Sequence, residues 1–327
     1  MKSINKQSDH IKTHLVTQLA SGNFCSGEAL GEQLGISRSA VSKHIKSLLE
    51  LGLDIFSVTG KGYKLAAPIQ LLASDLIGKY CRQFDTQQLE VLNVIDSTNQ
   101  YLKDNKERLT SGQACVAEAQ TAGRGRRGRK WVSPYGASLY LSMYWPFAGG
   151  YQSIGGLSLA VGVSLSEALK KAGYDDIQLK WPNDIYAQGK KLAGVLIEVE
   201  GQIGGACDCI IGIGLNMSLP ARVEEIDQPW IDIARLNGPS VDRNKICALL
   251  LDEVTSSLHI FDQQGLIPFV QRWRALDVYR DQAISLTIGS KLIVGIGRGI
   301  DETGALLLQV DDKLHAYSGG EISVRAT

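Results

Sequence analysis

No run of about 18 apolar residues occurs in this chain, so no membrane-spanning helix is expected. The segment Met1–Asp9 is polar and lacks an apolar core, so no signal peptide is expected and the expected compartment is cytoplasmic. Net charge is absent too: 34 Lys and Arg balance 34 Asp and Glu, and cations inform only where they cluster. The six cysteines contain no C-x-x-C pair. Cys207 and Cys209, the one close pair, are expected in a strand, one on each face. His10 and His14 share a helical face but have no third ligand nearby, so no metal centre is expected. There is no G-x-x-x-x-G-K-[ST] and no H-E-x-x-H, so P-loop and zincin motifs are missing. What remains is a chain of 327 residues, 44% hydrophobic, with room for two or three globular domains and a sizeable core.

The stretch Gly123-Arg124-Gly125-Arg126-Arg127-Gly128-Arg129-Lys130-Trp131 places five cations within seven residues, interrupted by glycines. Glycine allows close backbone approach to a ligand, and the guanidinium fork matches carboxylate and phosphate oxygens. The run also contains G-x-G-x-x-G. A dinucleotide fold needs a helix opening in that motif and an acid about 20 residues on. Pro134 and Gly136 break any helix, and Ala148, Gly149 and Gly150 stand where the acid belongs. An anion-binding loop and a solvated basic loop both remain open from the loop alone.

Residues from about Ile11 to Leu65 read as a self-contained unit. Ile11, Leu15, Val16 and Leu19 form a helical stripe. Ser26 is an N-cap signal for a second helix burying Leu30 and Leu34. Gly35-Ile36-Ser37 makes a turn, and Ser37 caps a third helix with Val41, Ile45, Leu48 and Leu49 inward. Two runs around Thr59-Gly60-Lys61-Gly62 complete a hairpin. Helix-turn-helix plus hairpin is the winged-helix pattern. Residues 1–67 carry eight basic and five acidic side chains. The candidate DNA face is Ser26, Ser37, Arg38, Ser39, Ser42, Lys43, Lys46 and Lys61, which a symmetric dimer would present twice. A helical protein-interaction module is the competing reading.

The middle of the chain alternates strands and polar strand ends. Leu89–Ile95 runs into Asp96-Ser97-Thr98-Asn99, with a helix beginning around Tyr101 and Leu102. These short polar residues line a site or simply cap that helix. Ala114–Gln120 leads into the basic loop, and Ala137–Tyr144 follows it, so the loop belongs inside a strand pair. Ile154–Ala172 is helical, packing on Leu157, Ala160, Val161, Ser164 and Ala168. Pro182 ends the strand through Leu179-Lys180-Trp181 and leaves Asn183 and Asp184 at a strand mouth. Either Lys190 or Lys191 must point to solvent or into a site, because strand neighbours alternate faces. Cys209–Asn216 is a further buried strand, and a polar loop over 217–239 is long enough to be a lid. Helices follow over Asp242–Phe261 and Leu266–Leu276. Five short strands after Gln282 suggest a small barrel with no catalytic residue evident. The expected fold is α+β: a winged helix-turn-helix (1–67), a mixed-sheet α+β domain of five or six strands (68–277) and an SH3-like C-terminal β-barrel (278–327).

Four stretches in order carry a resemblance: Asp96-Ser97-Thr98-Asn99, Gln120 with Gly123 to Trp131, Lys180-Trp181-Pro182-Asn183-Asp184, and Lys191-Leu192-Ala193-Gly194. Together they resemble the biotin–protein ligases. With the winged helix in front, the chain from Ile11 to Arg325 resembles their bifunctional bacterial form, both ligase and repressor of the biotin operon. The resemblance implies that Ser97, Thr98, Asn99, Gln120, Gly123, Arg124, Gly125, Arg126 and Lys191 contact biotin. It implies an ATP and adenylate side formed by Arg126, Arg127, Trp131, Asn183, Lys191, Asn216 and Trp230. Arg126, Lys191 and Asp184 are then the catalytic candidates. Biotin and Mg·ATP are implied to give biotinyl-5′-AMP, both intermediate and corepressor. A lysine of the biotin carboxyl carrier protein of acetyl-CoA carboxylase would attack it. Adenylate binding would favour a homodimer on operator DNA. A lipoate-type ligase and a biotin sensor without ligase activity are the alternatives.

Overall fold

The computed structural model describes residues 6–201, 204–220, 225–237, 241–318 and 322–326. Three helices, α1 (Lys6–Leu19), α2 (Gly27–Leu34) and α3 (Arg38–Glu50), precede a hairpin of β1 (Ile55–Val58) and β2 (Gly62–Leu65). Ser26 and Ser37 cap α2 and α3, their hydroxyl oxygens accepting the Glu28, Ala29 and Ala40 amides. Gly35 turns the chain between them at φ 64°. Val41, Ile45 and Leu48 are buried, but Leu49, expected inward, is 45% exposed. At 100° per residue it sits well round the helix from the other three.

This unit packs on the chain that follows it. Its core also contains Ala119 and Tyr135 from beyond the linker, with Ile69, Leu71 and Val94 packed on it. The Tyr135 amide donates to Leu51 O (2.9 Å) and Asn93 Nδ2 to Thr13 Oγ1 (2.7 Å). A short helix, α4 (Ser74–Gly78), follows the linker.

The central sheet is built from β3 (Leu89–Ile95), β4 (Ala114–Gln120), β5 (Ser138–Phe147), β6 (Gln178–Lys180), β7 (Asp184–Ala187), β8 (Lys190–Gly201) and β9 (Cys207–Asn216). Its seven strands run β3-β4-β5-β9-β8-β7-β6, with β3 and β4 parallel and the other pairs antiparallel. Helix α5 (Thr98–Asn105) starts directly at the polar end of β3, earlier than expected, because Thr98 and Asn99 already take helical geometry. Helix α6 (Leu157–Lys171) begins three residues later than expected, since Gly156 adopts φ 78°. It is buried on nearly every side, between sheet and outer helices. Those are α8 (Arg243–Gln264) and α9 (Ile267–Leu276), after a short α7 (Ile233–Asn237) inside the expected lid loop. Cys207 and Cys209 are both buried, on one face rather than two, as a period of two demands for residues two apart.

The last sheet comprises β10 (Ala283–Ile288), β11 (Lys291–Ile300), β12 (Leu306–Val310), β13 (Lys313–Tyr317) and β14 (Ile322–Ala326). Its order is β13-β12-β11-β10-β14, all antiparallel. Among the described residues β13 and β14 do not pair, so the SH3-like strand arrangement is present without a closed barrel. Its inner face joins the central core through Ile284, Leu286, Ile300, Leu306 and Leu308. No described helix is long and apolar enough to cross a membrane.

Candidate active site

One cavity of about 560 Å³ opens on the face of the central sheet, within the size range of small-molecule sites. It gathers the start of α5, the end of β4, the basic loop, the β6–β7 turn and the start of β8. Its floor is bare backbone: Gly194 and Gly214 are register partners on β8 and β9, and Gly212 lies two residues away on the same face. A Cβ on Gly214 would come within 2.4 Å of the Trp131 ring, and one on Gly212 within 2.3 Å of Asn99 Oδ1. Side chains and a ligand can therefore lie flat on the strands.

One wall is a connected polar network. Ser97 stands at the N-cap of α5, yet its hydroxyl makes no cap bond, so a plain capping role does not account for it. Gln120 Oε1 accepts from the Thr98 amide (2.9 Å), and Gln120 Nε2 donates to Ser133 Oγ (3.0 Å). Ser142 Oγ lies 2.6 Å from Asn99 Oδ1 and 2.7 Å from Thr98 Oγ1. The amide oxygen can only accept, so Ser142 gives its single proton there, and Thr98 donates to Ser142 or Gln120. A wall of fixed amides and hydroxyls suits a neutral ligand with both donors and acceptors.

The basic loop closes on itself. Gly125 N donates to Arg129 O (2.7 Å) and Trp131 N to Gly123 O (2.9 Å). Gly123 lies behind the wall, where a Cβ would meet Trp131 O at 2.4 Å. Arg127 holds φ 58°, a left-handed conformation uncommon for a side chain of its size. Arg124, Gly125, Arg126 and Arg127 all line the cavity. Arg126 Nη1 donates to Asn183 Oδ1 (3.1 Å), and Asn183 Nδ2 is anchored on Val195 O (2.7 Å). Burial and neighbouring Arg127 lower the Arg126 pKa, while Asp184 opposes them.

Of the two candidate lysines, Lys190 is exposed and Lys191 enters the cavity. Lys191 Nζ meets Asp184 Oδ1 at 2.7 Å, both side chains under one-fifth exposed, and lies 5.4 Å from the Trp131 ring centre. Its backbone bonds to Pro229 O and the Ile231 amide, which brings Trp230 alongside. Asn216 Nδ2 ties that segment down through Ile231 O (3.1 Å), and Arg235 stacks on Trp230. Asn216 and Trp230 line a smaller adjoining cavity of about 180 Å³, together with Trp131 and Lys191.

Lys180, Tyr186, Tyr279 and Arg325 line this cavity and were not expected there from the sequence. Lys180 reaches Tyr186 OH at 2.9 Å and faces the Tyr186 and Tyr279 rings. Burial lowers its pKa, with Asp184 opposing and Lys191, Arg325 and Arg129 reinforcing. Arg325 of β14 and Tyr279 bring the C-terminal region to the rim. Lys180 stood inside a recognised motif, but Arg325 carried no local signal. Among the described residues, no three His, Cys, Asp or Glu side chains group to hold a metal.

On the candidate DNA face, Ser26, Ser37, Arg38, Ser39, Lys43, Lys46 and Lys61 are exposed and Ser42 is half-buried. Ser26 and Ser37 already serve their helices as caps. Lys61 and Lys64 flank the exposed Phe24 ring at 5.7 and 5.6 Å.

Comparison with known proteins agrees with this geometry. Residues 91–216 match the biotin/lipoate A/B protein ligase family, 12–64 an HTH domain, and 281–325 a biotin protein ligase C-terminal domain. The chain is 51% identical over 314 residues to the bifunctional ligase/repressor BirA of Salmonella typhimurium, covering 95% of this chain and 97% of that one. The BirA of Escherichia coli is 50% identical, with 95% and 96% covered. Among solved structures, the biotin protein ligase of Aquifex aeolicus in complex with biotin and ATP matches with a TM-score of 0.64 and 31% identity, over 73% of this chain and 99% of that one. All three segments match in order and half the residues are shared along nearly the whole length, so this chain belongs to the biotin protein ligase family, in its bifunctional ligase/repressor branch.

Proposed function

We propose that the chain joins biotin to ATP as biotinyl-5′-AMP, passes biotin to a carrier-protein lysine, and represses transcription in response to the adenylate. The observation that carries this is one cavity with a neutral polar wall at one end and Lys191–Asp184 and Arg126–Asn183 at the other. Ser97, Thr98, Asn99 and Gln120 suit the ureido ring of biotin. Arg124, Gly125 and Arg126 close over its carboxylate and the α-phosphate, with Gly123 behind them. A biotin carboxylate oxygen attacks the α-phosphorus and pyrophosphate leaves. Lys191, Arg126 and Arg127 offset the charge on the phosphoryl oxygens. Trp131, Asn183, Asn216 and Trp230 form the nucleotide side. Asp184 already holds Lys191, so Mg²⁺ fits best as a counter-ion brought by the triphosphate.

The second step needs no enzyme nucleophile. The thiol bonded to the polar wall, Cys115 on Thr98 O, is fully buried and its pKa is pushed far up by burial. The carrier amine attacks the acyl carbon, AMP leaves, and the amine loses a proton. Arg126 retains the adenylate until then.

For repression, two copies would present two winged helices. Strand β9 pairs with β8 as far as Gly201, whereas β7 pairs only as far as Gly194. The other edge of β8 beyond Val195 is therefore without a strand partner among the described residues, and a second copy could pair there. A cytoplasmic location is the setting in which ATP, carrier and operator meet.

The test is direct. Purified protein with biotin, Mg²⁺ and α-labelled ATP should yield labelled biotinyl-AMP, and adding carrier domain should give biotinylated carrier and AMP. Lipoate offered instead separates the related activity. Product from lipoate alone would overturn the biotin reading. Carrier left unmodified despite adenylate formation would leave only a sensor.

A further inference from the structure

We propose that Glu198 is the positioning residue that latches the glycine–arginine loop onto the biotin wall; this rests on the function proposed above. Glu198 lies on β8, outside the lining of the cavity. Both its carboxylate oxygens accept from Arg124 Nη2, at 3.1 and 3.0 Å. Its Oε2 also accepts from Asn99 Nδ2 at 2.8 Å. One carboxylate thus binds a loop residue and a wall residue that both face the ligand.

The orientation of Asn99 depends on this. Its Oδ1 accepts from Ser142, so its NH₂ faces Glu198. Arg124 Nη1 goes on to Gln100 Oε1 (2.9 Å), so the guanidinium spans α5 and β8. The Arg124–Glu198 pair is about one-third exposed at each end, and solvent weakens it accordingly. Its weight comes from sharing the acceptor. Replacing the carboxylate by an amide of equal size can keep one oxygen for Asn99 and Arg124, but it turns an NH₂ group against the guanidinium and removes the charge, so the loop is held more weakly. Glu198 also sits within the unpaired stretch of the β8 edge, so the latch joins the ligand loop to the strand where a second copy would pair.

E198Q tests this with two readouts. Trypsin acting on the ligand-free protein should cut within Arg124–Lys130 about tenfold faster than in wild type. In adenylate formation, the KM for biotin should rise about tenfold while kcat stays within about twofold, since Glu198 does not touch the reacting atoms. In the R124Q/E198Q double variant the effects should not add, because both substitutions break one latch. Additive effects, or wild-type cleavage and KM in E198Q, would overturn the proposal. Should E198Q not fold, R124Q decides: it must show the same faster cutting at the remaining basic residues, and wild-type cleavage there refutes the latch. Wild-type protein that forms no adenylate would sink the functional reading, while the ligand-free cleavage result still judges the latch.

Discussion

Arg126 lines the cavity and donates to Asn183 Oδ1, which holds its guanidinium where the adenylate phosphate is proposed to lie. Arg126→Gly is therefore expected to release free biotinyl-AMP and to label lysines indiscriminately. Biotin blots of a bystander protein would show it, and normal adenylate retention would remove that role from Arg126. Lys191→Gln keeps a polar side chain but deletes the charge proposed to face the α-phosphate. Adenylate formation should fall about 10²–10³-fold, read as labelled product from α-labelled ATP. Both residues were legible because each is locally anomalous: five cations in a glycine loop, and a lysine opening a buried strand. Arg325 was not legible, since a single arginine in a terminal strand looks like any other until the fold brings it to the rim.

Helix α8 is bound to β4 and β5 by a buried pair. Arg243 donates to Glu118 Oε2 (2.8 Å), Gln70 O and Ser138 O, with both charged side chains only 5% exposed. Arg243→Met would strand the Glu118 carboxylate and cost about 3–5 kcal/mol, measurable by urea denaturation. The junction between α9 and β10 holds the opposite case. Burial pushes the Asp277 carboxyl up to about 6, and its Oδ2 has no hydrogen-bond partner among the described residues. The folded state keeps this proton where the unfolded chain, near 3.8, has lost it. Its stabilising contribution is complete below that value and is lost as pH rises through about 6. Asp277→Asn retains the acceptor for the Tyr279 amide (3.0 Å). It should raise stability at pH 8 by on the order of 2 kcal/mol and change little at pH 4. Equal urea midpoints for the two proteins at pH 8 would contradict this. Periodicity located most elements, including the exact span of β3 and β4. It misplaced Leu49 and the Cys207–Cys209 pair, where facing depends on angle and period rather than hydrophobicity.

The assembled molecule places the winged helix against the segment that follows the ligand loop, with Tyr135 inside the winged-helix core. Biotin with Mg·ATP is expected to shift the protein from monomer to dimer in sedimentation, and operator DNA should bind only then. Protein that stays monomeric in sedimentation with adenylate bound would remove the ligand-driven dimer from this reading.

The order of modules and the glycine–arginine loop between two strands were written in local features: turn glycines, capping serines, hydrophobic periods and clustered cations. Family resemblance then attached those features to biotin and ATP. Which lysine enters the cavity, the joining of Lys180, Tyr279 and Arg325 at one rim, and the shared core under the winged helix were decided only by tertiary structure. Strand parity and register choose between neighbours such as Lys190 and Lys191. Contacts between residues more than a hundred positions apart leave no trace in the pattern of either segment alone.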